Sequence, residues 1–333
     1  MKSFIFILLV VFSFVSQTVA AAPCATPAKT LKLATLAPEG TGMYKGLVAV
    51  QTKIKAQTQG CVDVQLYGGG SAGDEKDVVR KMRIGQLHGA ALTGVGLGQI
   101  EPEIRVLELP FLFKDYAKVD STYGQLKPYF EQKLNEKGFQ LLGWAEVGFV
   151  QIFSNKPIKS RADLSGMKMW MWEGDALAQA MYESLKVVPV PLAVTDVLTS
   201  LQTGLIDGCY APPLGAIAFQ WPTKTKFVTK VDLVMGTGAL ILANSVWQTL
   251  APAEQTIVKA VISEEAKGMV AQSRTDNQQS MTALQSMGLQ IVTLTPEAQT
   301  ELESISKEVA TKLVGKLYPQ PILDKTLALA GPR

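Results

Sequence analysis

Residues able to do acid–base, metal or nucleophilic chemistry are scarce in this 333-residue chain. His88 is its single histidine, so a His-based proton relay or His-rich metal site has no second member. The three cysteines, Cys24, Cys61 and Cys209, form no Cys-x-x-Cys pair, and no Gly-x-Ser-x-Gly elbow is present. Gly68-Gly69-Gly70-Ser71 lacks the Gly-Lys-Ser/Thr of a phosphate loop; it reads as a strand-end turn, with Ser71 or Asp74 capping the next helix. Gly94-Val95-Gly96-Leu97-Gly98 follows a second α/β unit, the wrong place for a dinucleotide loop. Glu173 and Asp175 could meet a cationic ligand, but the start of a helix accounts for Asp175. Arg105 and Glu108 read as a surface or loop pair. No nucleophile–base pairing emerges and no cofactor or metal is implied, so a binding protein is expected rather than an enzyme.

The N-terminus indicates export. Lys2, an apolar run from Phe4 to Phe12 and the small residues Ala20-Ala21-Ala22 are the parts of a secretory signal over residues 1–22, cut after Ala20 or Ala21. The run is too short to span a bilayer. Pro23 makes Cys24 a poor lipid-attachment site, so a soluble, monomeric periplasmic protein is expected. A formal net charge of +3 without any basic run implies no nucleic-acid partner. In an oxidising compartment, Cys24 and Cys61 stand just before two strand-like runs. Parallel pairing of those strands would bring them together as a disulfide. Cys209 then reads as a small buried apolar residue.

The chain that must position a site alternates. Leu31–Leu36, Val62–Tyr67 and Gly89–Thr93 read as strands, separated by helices over 42–58 and 74–85 with apolar residues at helical spacing. Parallel strands with right-handed crossovers follow, and ligands of such sheets sit beyond the strands' carboxyl ends, here near Thr35–Tyr44, Gly68–Asp74 and Thr93–Leu97. Phe139–Trp144 and Val147–Ser154 read as two strands, the second crossing into another lobe. There, strands 168–172, 187–190 and 205–210 alternate with helices 175–186 and 195–203. Lys230–Leu233 and Gly238–Ala243 read as strands returning to the first lobe, and one or two long helices fill Pro252–Met287. A chain of this length exceeds a single core. The expected division is residues 28–150 plus 236–275 in lobe I and 151–235 plus 276–333 in lobe II, with the ligand cleft between.

The order and spacing of several segments resemble the solute-binding proteins of TRAP transporters, the DctP-type family. They are Ala34-Thr35-Leu36-Ala37-Pro38, Gly69-Gly70-Ser71-Ala72-Gly73, Arg83-Ile84-Gly85-Gln86-Leu87, Leu109-Pro110-Phe111-Leu112-Phe113, Asp163-Leu164-Ser165-Gly166-Met167-Lys168 and Leu201–Gly208. The resemblance covers nearly the whole mature chain. It implies a two-lobe α/β clamshell of the type II periplasmic-binding-protein kind, with hinge strands and a long helix in the C-terminal half. It also implies delivery of a ligand to an ion-driven TRAP permease.

Three departures bear on the ligand. Where the family places arginines for a substrate carboxylate, this chain has Trp170 and Val150, and Tyr210-Ala211 replaces a polar pair. A carboxylate without its cation in a closed cleft is costly. The expected ligand is therefore uncharged and hydrophobic or amphipathic. It would be held by Trp170, Trp172, Val150, Tyr210 and Ala211 from one side and Met43 and Tyr44 from the other, with Thr35 and Thr93 as polar anchors. Trp170→Ala is expected to weaken binding and leave apo stability nearly unchanged. Alternatives are an organic-acid receptor using Lys45, Arg83 or Lys168 as its cation, or a ligand-free scaffold.

Overall fold

The computed structural model describes residues 29–331. Cys24 and the segment 1–22 lie outside the described residues. Cys61 is disulfide-bonded, and Cys209 is free and buried.

Strands β1 (Lys29–Thr35), β2 (Val62–Tyr67), β3 (Gly89–Thr93) and β4 (Phe139–Phe149) belong to one five-stranded sheet; β5 (Gln151–Ser154), β6 (Lys168–Trp172), β7 (Val188–Leu192), β8 (Gly208–Ala211) and β9 (Phe227–Lys230) belong to a second; β10 (Met235–Ala243) returns to the first and β11 (Gln290–Thr293) to the second. The first sheet has the order β2-β1-β3-β10-β4. Its first three strands are parallel, and β10 is antiparallel to both neighbours. β10 is buried along its whole length, as an uninterrupted apolar strand between two others must be. On one face, Leu31 and Leu33 pack with Leu47, Val50 and Ile54 of the helix Gly42–Gln57 and with Val258 and Ile262 of a 35-residue helix, Pro252–Ser286. The opposite face carries Ala34, Ala90 and Leu92 against helices that include Tyr116–Glu136.

The second sheet runs β11-β9-β5-β8-β6-β7. Pro189 and Pro191 fit β7 at its edge, where a missing N–H costs nothing. Strand alternation on β6 puts Met169 and Met171 into one core and Trp170 and Trp172 toward another.

Two strand crossings join the lobes. Only Val150 separates β4 from β5, and residues 145–146, left between two strands in the sequence reading, lie within β4. The return passes through residues 231–234, expected as strand but irregular. The side chain of Gln151 takes the Val231 and Asp232 N–H groups, and Asp232 adopts a φ of +43°. The two crossings are hydrogen-bonded to each other: Val150 N–H donates to Val234 O at 2.8 Å and Leu233 N–H to Val150 O at 2.9 Å. The long helix forms a third link, with Val258 in the core of the first lobe and Leu284 in that of the second. At the C-terminus, Gln320–Ala330 packs on Tyr116–Glu136, an element of the first lobe. This differs from the expected division, because the helix completes the apolar face of Tyr116–Glu136. No helix among the described residues is long and apolar enough to cross a membrane.

Candidate functional site

A cavity of about 280 Å³ lies between the lobes. Trp170, Trp172, Val150, Tyr210, Ala211, Met43, Thr35 and Thr93 all line it. Tyr44 does not. Helical geometry turns it about 100° from Met43, and its ring lies over Gly68, where a Cβ would come within 2.4 Å of it. Phe219 and Trp221 also reach the wall. Trp247 instead packs against the core of the first lobe.

The wall contributed by the second lobe is aromatic. Trp170 is only 1% exposed; it stacks on Tyr210 with centroids 4.9 Å apart, meets Trp221 edge-on at 5.3 Å and touches Trp172 at 5.1 Å. Its Nε1 donates to Leu192 O at 3.0 Å. Trp170 is thus both a wall and a core residue, so its loss is now expected to cost apo stability as well as binding. Among the described residues, the hydroxyl of Tyr210 and Nε1 of Trp221 are buried with no hydrogen-bond partner. The Trp172 N–H lies beside that hydroxyl without meeting hydrogen-bond geometry. Burial pushes the Tyr210 phenol far above its usual range, so it remains a donor. Burial likewise keeps the Cys209 thiol protonated.

The wall contributed by the first lobe is ionic, and sequence reasoning missed it. Arg105 and Glu108, expected at the surface, are both buried on the cavity wall. The Arg105 guanidinium pairs with Glu108 and reaches across the cleft to both oxygens of Asp175 at 2.9 Å. Asp175 also caps the helix Ala176–Leu185 through the Leu177 and Ala178 N–H groups. Burial alone would lower the guanidinium's affinity for its proton, but Asp175 and Glu108 outweigh it and hold Arg105 charged. Glu75 is buried too. It accepts from Thr93 N, Thr93 Oγ1 and Gly96 N, each at 2.7 Å, while desolvation pushes its carboxyl up to about 7. Thr93, expected as a ligand anchor, therefore spends its hydroxyl proton on Glu75. Glu146 is bound by Arg274.

The glycine run after β3 now has a packing role. A Cβ on Gly94 would sit 2.3 Å from the carboxylate of Glu108, and one on Gly96 2.6 Å from Glu75 Oε2. These glycines make room for buried charges. An isolated Arg105 and Glu108, three apart in the apolar run Ile104–Leu109, were the legible signal of such a pair.

Further contacts close the lobes. Asp74 accepts from Trp172 Nε1 at 3.0 and 3.1 Å and from Val194 N at 3.1 Å, and Lys76 meets Glu173 at 2.8 Å. Lys45, Arg83 and Lys168 are exposed and off the wall. Among the described residues, Arg105 is the one cation lining the cavity. No cluster of metal-ligating side chains occurs among the described residues.

Two α/β lobes joined by hydrogen-bonded crossing strands around a partly open cavity define a two-lobe ligand-binding protein. The chain belongs to the bacterial extracellular solute-binding proteins of family 7 (DctP), whose family model matches residues 33–316. A solute-binding protein of Roseobacter denitrificans is 28% identical over 73% of this chain and 76% of its own. The C4-dicarboxylate-binding periplasmic protein DctP of Rhodobacter capsulatus is 24% identical over 89% of each chain. The fold is that of a TRAP periplasmic solute-binding protein from Ralstonia eutropha H16, solved with bound (S)-2-acetolactate. That structure has a TM-score of 0.86 and 22% identity, with 91% of this chain and 99% of that one covered. The chain is thus a TRAP-type solute-binding protein, of a family of small-molecule receptors that work with membrane permease subunits.

Proposed function

We propose that this receptor captures an uncharged hydrophobic or amphipathic ligand and delivers it, as a monomer in the periplasm, to a TRAP permease. The observation that carries this is the state of the cavity's cation. Arg105 is already paired with two buried carboxylates, Glu108 and Asp175, and the facing wall is Trp170, Trp172, Tyr210 and Trp221. An incoming carboxylate would have to displace one of those partners and leave it buried and unpaired, at a cost of several kcal/mol. Hydrocarbon meets no such penalty: about 300 Å² of buried apolar ligand surface contributes roughly 7 kcal/mol before association costs. The contacts across the cleft would act with the ligand, whose affinity for the closed form shifts the hinge equilibrium.

A second reading, an organic-acid receptor with Arg105 as its anchor, is favoured by the names of relatives. One is described as C4-dicarboxylate-binding, and one was solved with acetolactate. Calorimetry separates the two. Titration with succinate, acetolactate and a neutral hydrophobic dye such as phenylnaphthylamine should show binding of the dye alone. Micromolar binding of either acid would sink the apolar reading.

A further inference from the structure

The ion pairs that cross the cleft differ in kind. Lys76–Glu173 lies at the rim, with side chains 60% and 65% exposed, where water and salt screen it. Arg105 and Asp175 meet on the cavity wall, with side chains 8% and 4% exposed. The Nη2 group of Arg105 faces both Asp175 oxygens at 2.9 Å, a contact it could equally make to the carboxylate of a small molecule. Each partner is held by its own lobe. A Cβ on Gly98 would stand 2.9 Å from Arg105 Cδ, so the arginine stem packs closely on the helix Gly94–Gly98. Asp175 follows β6 through a turn in which its N–H donates to Trp172 O at 3.1 Å, with Gly174 at a φ of +81°. The end of the aromatic strand thus delivers a carboxylate onto the guanidinium of the opposite lobe.

We propose that Asp175 is the specificity-determining residue of the cleft: a carboxylate of the second lobe that occupies Arg105 in place of a ligand's and ties the lobes together from within. This rests on the apolar reading above and deepens it, by naming the group that keeps organic acids out. A free acid competes with a carboxylate tethered in place, whose effective concentration at Arg105 far exceeds that of a ligand in solution. Removing the Asp175 side chain leaves a space bounded by Arg105 and by the Leu177 and Ala178 N–H groups, all donors that a small carboxylate can satisfy. Glu108 keeps its bond to Nη1, so an entering carboxylate restores the charge that the wall has now.

The test uses the full mature chain and two variants, with acetate, acetamide, succinate and phenylnaphthylamine as probes in calorimetry and thermal melting. Asp175→Ser keeps a helix-capping hydroxyl and opens the space, whereas Asp175→Asn keeps cap and shape and removes only the charge. Acetate is expected to bind Asp175→Ser at least about tenfold more tightly than the unsubstituted chain, and to raise its melting temperature as its concentration rises. Acetamide, similar in shape but uncharged, should do neither. Asp175→Asn should gain no acetate site, since its amide fills the space, and should show a larger apo radius in small-angle scattering. Dye binding shows that the variants are folded. If folded Asp175→Ser gains no acetate binding, or Asp175→Asn keeps the unsubstituted radius, the role of Asp175 falls while the apolar cleft stands. If Asp175→Ser does not fold, acetate but not acetamide should restore its dye binding, and failure to do so counts against the role. If the unsubstituted chain binds acetate as tightly as Asp175→Ser and succinate at micromolar concentration, both readings fall together.

Discussion

The first lobe meets the cavity with Glu75, Arg105, Glu108 and Glu146, the second with Trp170, Trp172, Tyr210 and Trp221. On the ionic wall each buried charge is matched by partners from the fold, and one of them, Asp175, reaches it from the other lobe. The aromatic wall offers area, and two of its buried polar groups have no partner among the described residues. Buried ion pairs contribute little net stability but are severe when broken, whereas aromatic area stabilises in proportion to what it covers. On the proposed reading, one side of the cleft sets shape and disfavours ions, and the other supplies the binding area. Asp175 joins the two walls, since it sits on the second lobe and is paired with the first.

Removing the cation from the ionic wall should have the largest effect. Arg105→Leu leaves Glu108 and Asp175 buried without their partner, and chemical denaturation should show a loss of about 3–5 kcal/mol. A loss below 1 kcal/mol would mean that water reaches the pair. On the aromatic wall, Trp170→Ala opens a void beside Tyr210, Trp172 and Trp221. It is expected to cost about 3–4 kcal/mol of apo stability as well as dye affinity. Unchanged melting with lost binding would restore Trp170 to a purely ligand-facing role.

Glu75 sharpens the contrast through pH. Its folded carboxyl is raised to about 7 from an ordinary value of 4.5, so between those limits the folded state holds more protons than the unfolded one. Its contribution is fully present below pH 4.5 and is lost as pH rises through 7, a decline of about 3 kcal/mol over the whole range. Glu108, also raised by burial, acts in the same direction. Unfolding measured at pH 5 and pH 7.5 should show the drop, and Glu75→Gln should flatten it.

The smallest effects belong to the rim. Asp74→Ala removes the bonds from Trp172 Nε1 and Val194 N and should weaken closure by about 1–2 kcal/mol, read as a lower dye affinity and a larger apo radius in small-angle scattering. Lys76→Ala, which breaks an exposed pair, should change neither.

Much of the fold was legible because it depends on local pattern. The apolar alternation of Leu31–Leu36 and Val62–Tyr67, the glycine turn before Asp74 and the breaker-free run from Pro252 each specify an element from a few neighbouring residues. The order of the elements then dictates parallel pairing and a crossing near Val150. Eight of the nine expected site residues reached the cavity for the same reason, since strand ends on one edge converge wherever the sheet is placed. Tyr44 lies off the cavity because its direction depends on one helical step and on the space above Gly68.

The sequence by itself determined two α/β lobes, strand crossings between them and an aromatic set at Trp170, Trp172 and Tyr210. Only the tertiary structure decided what stands opposite. Arg105, Glu75, Glu108 and Asp175 look like ordinary surface or capping charges until residues as far apart as 105 and 175 are brought within 2.9 Å. Whether a charge is solvated or buried depends on neighbours distant in the chain, and composition, periodicity and spacing do not encode those neighbours.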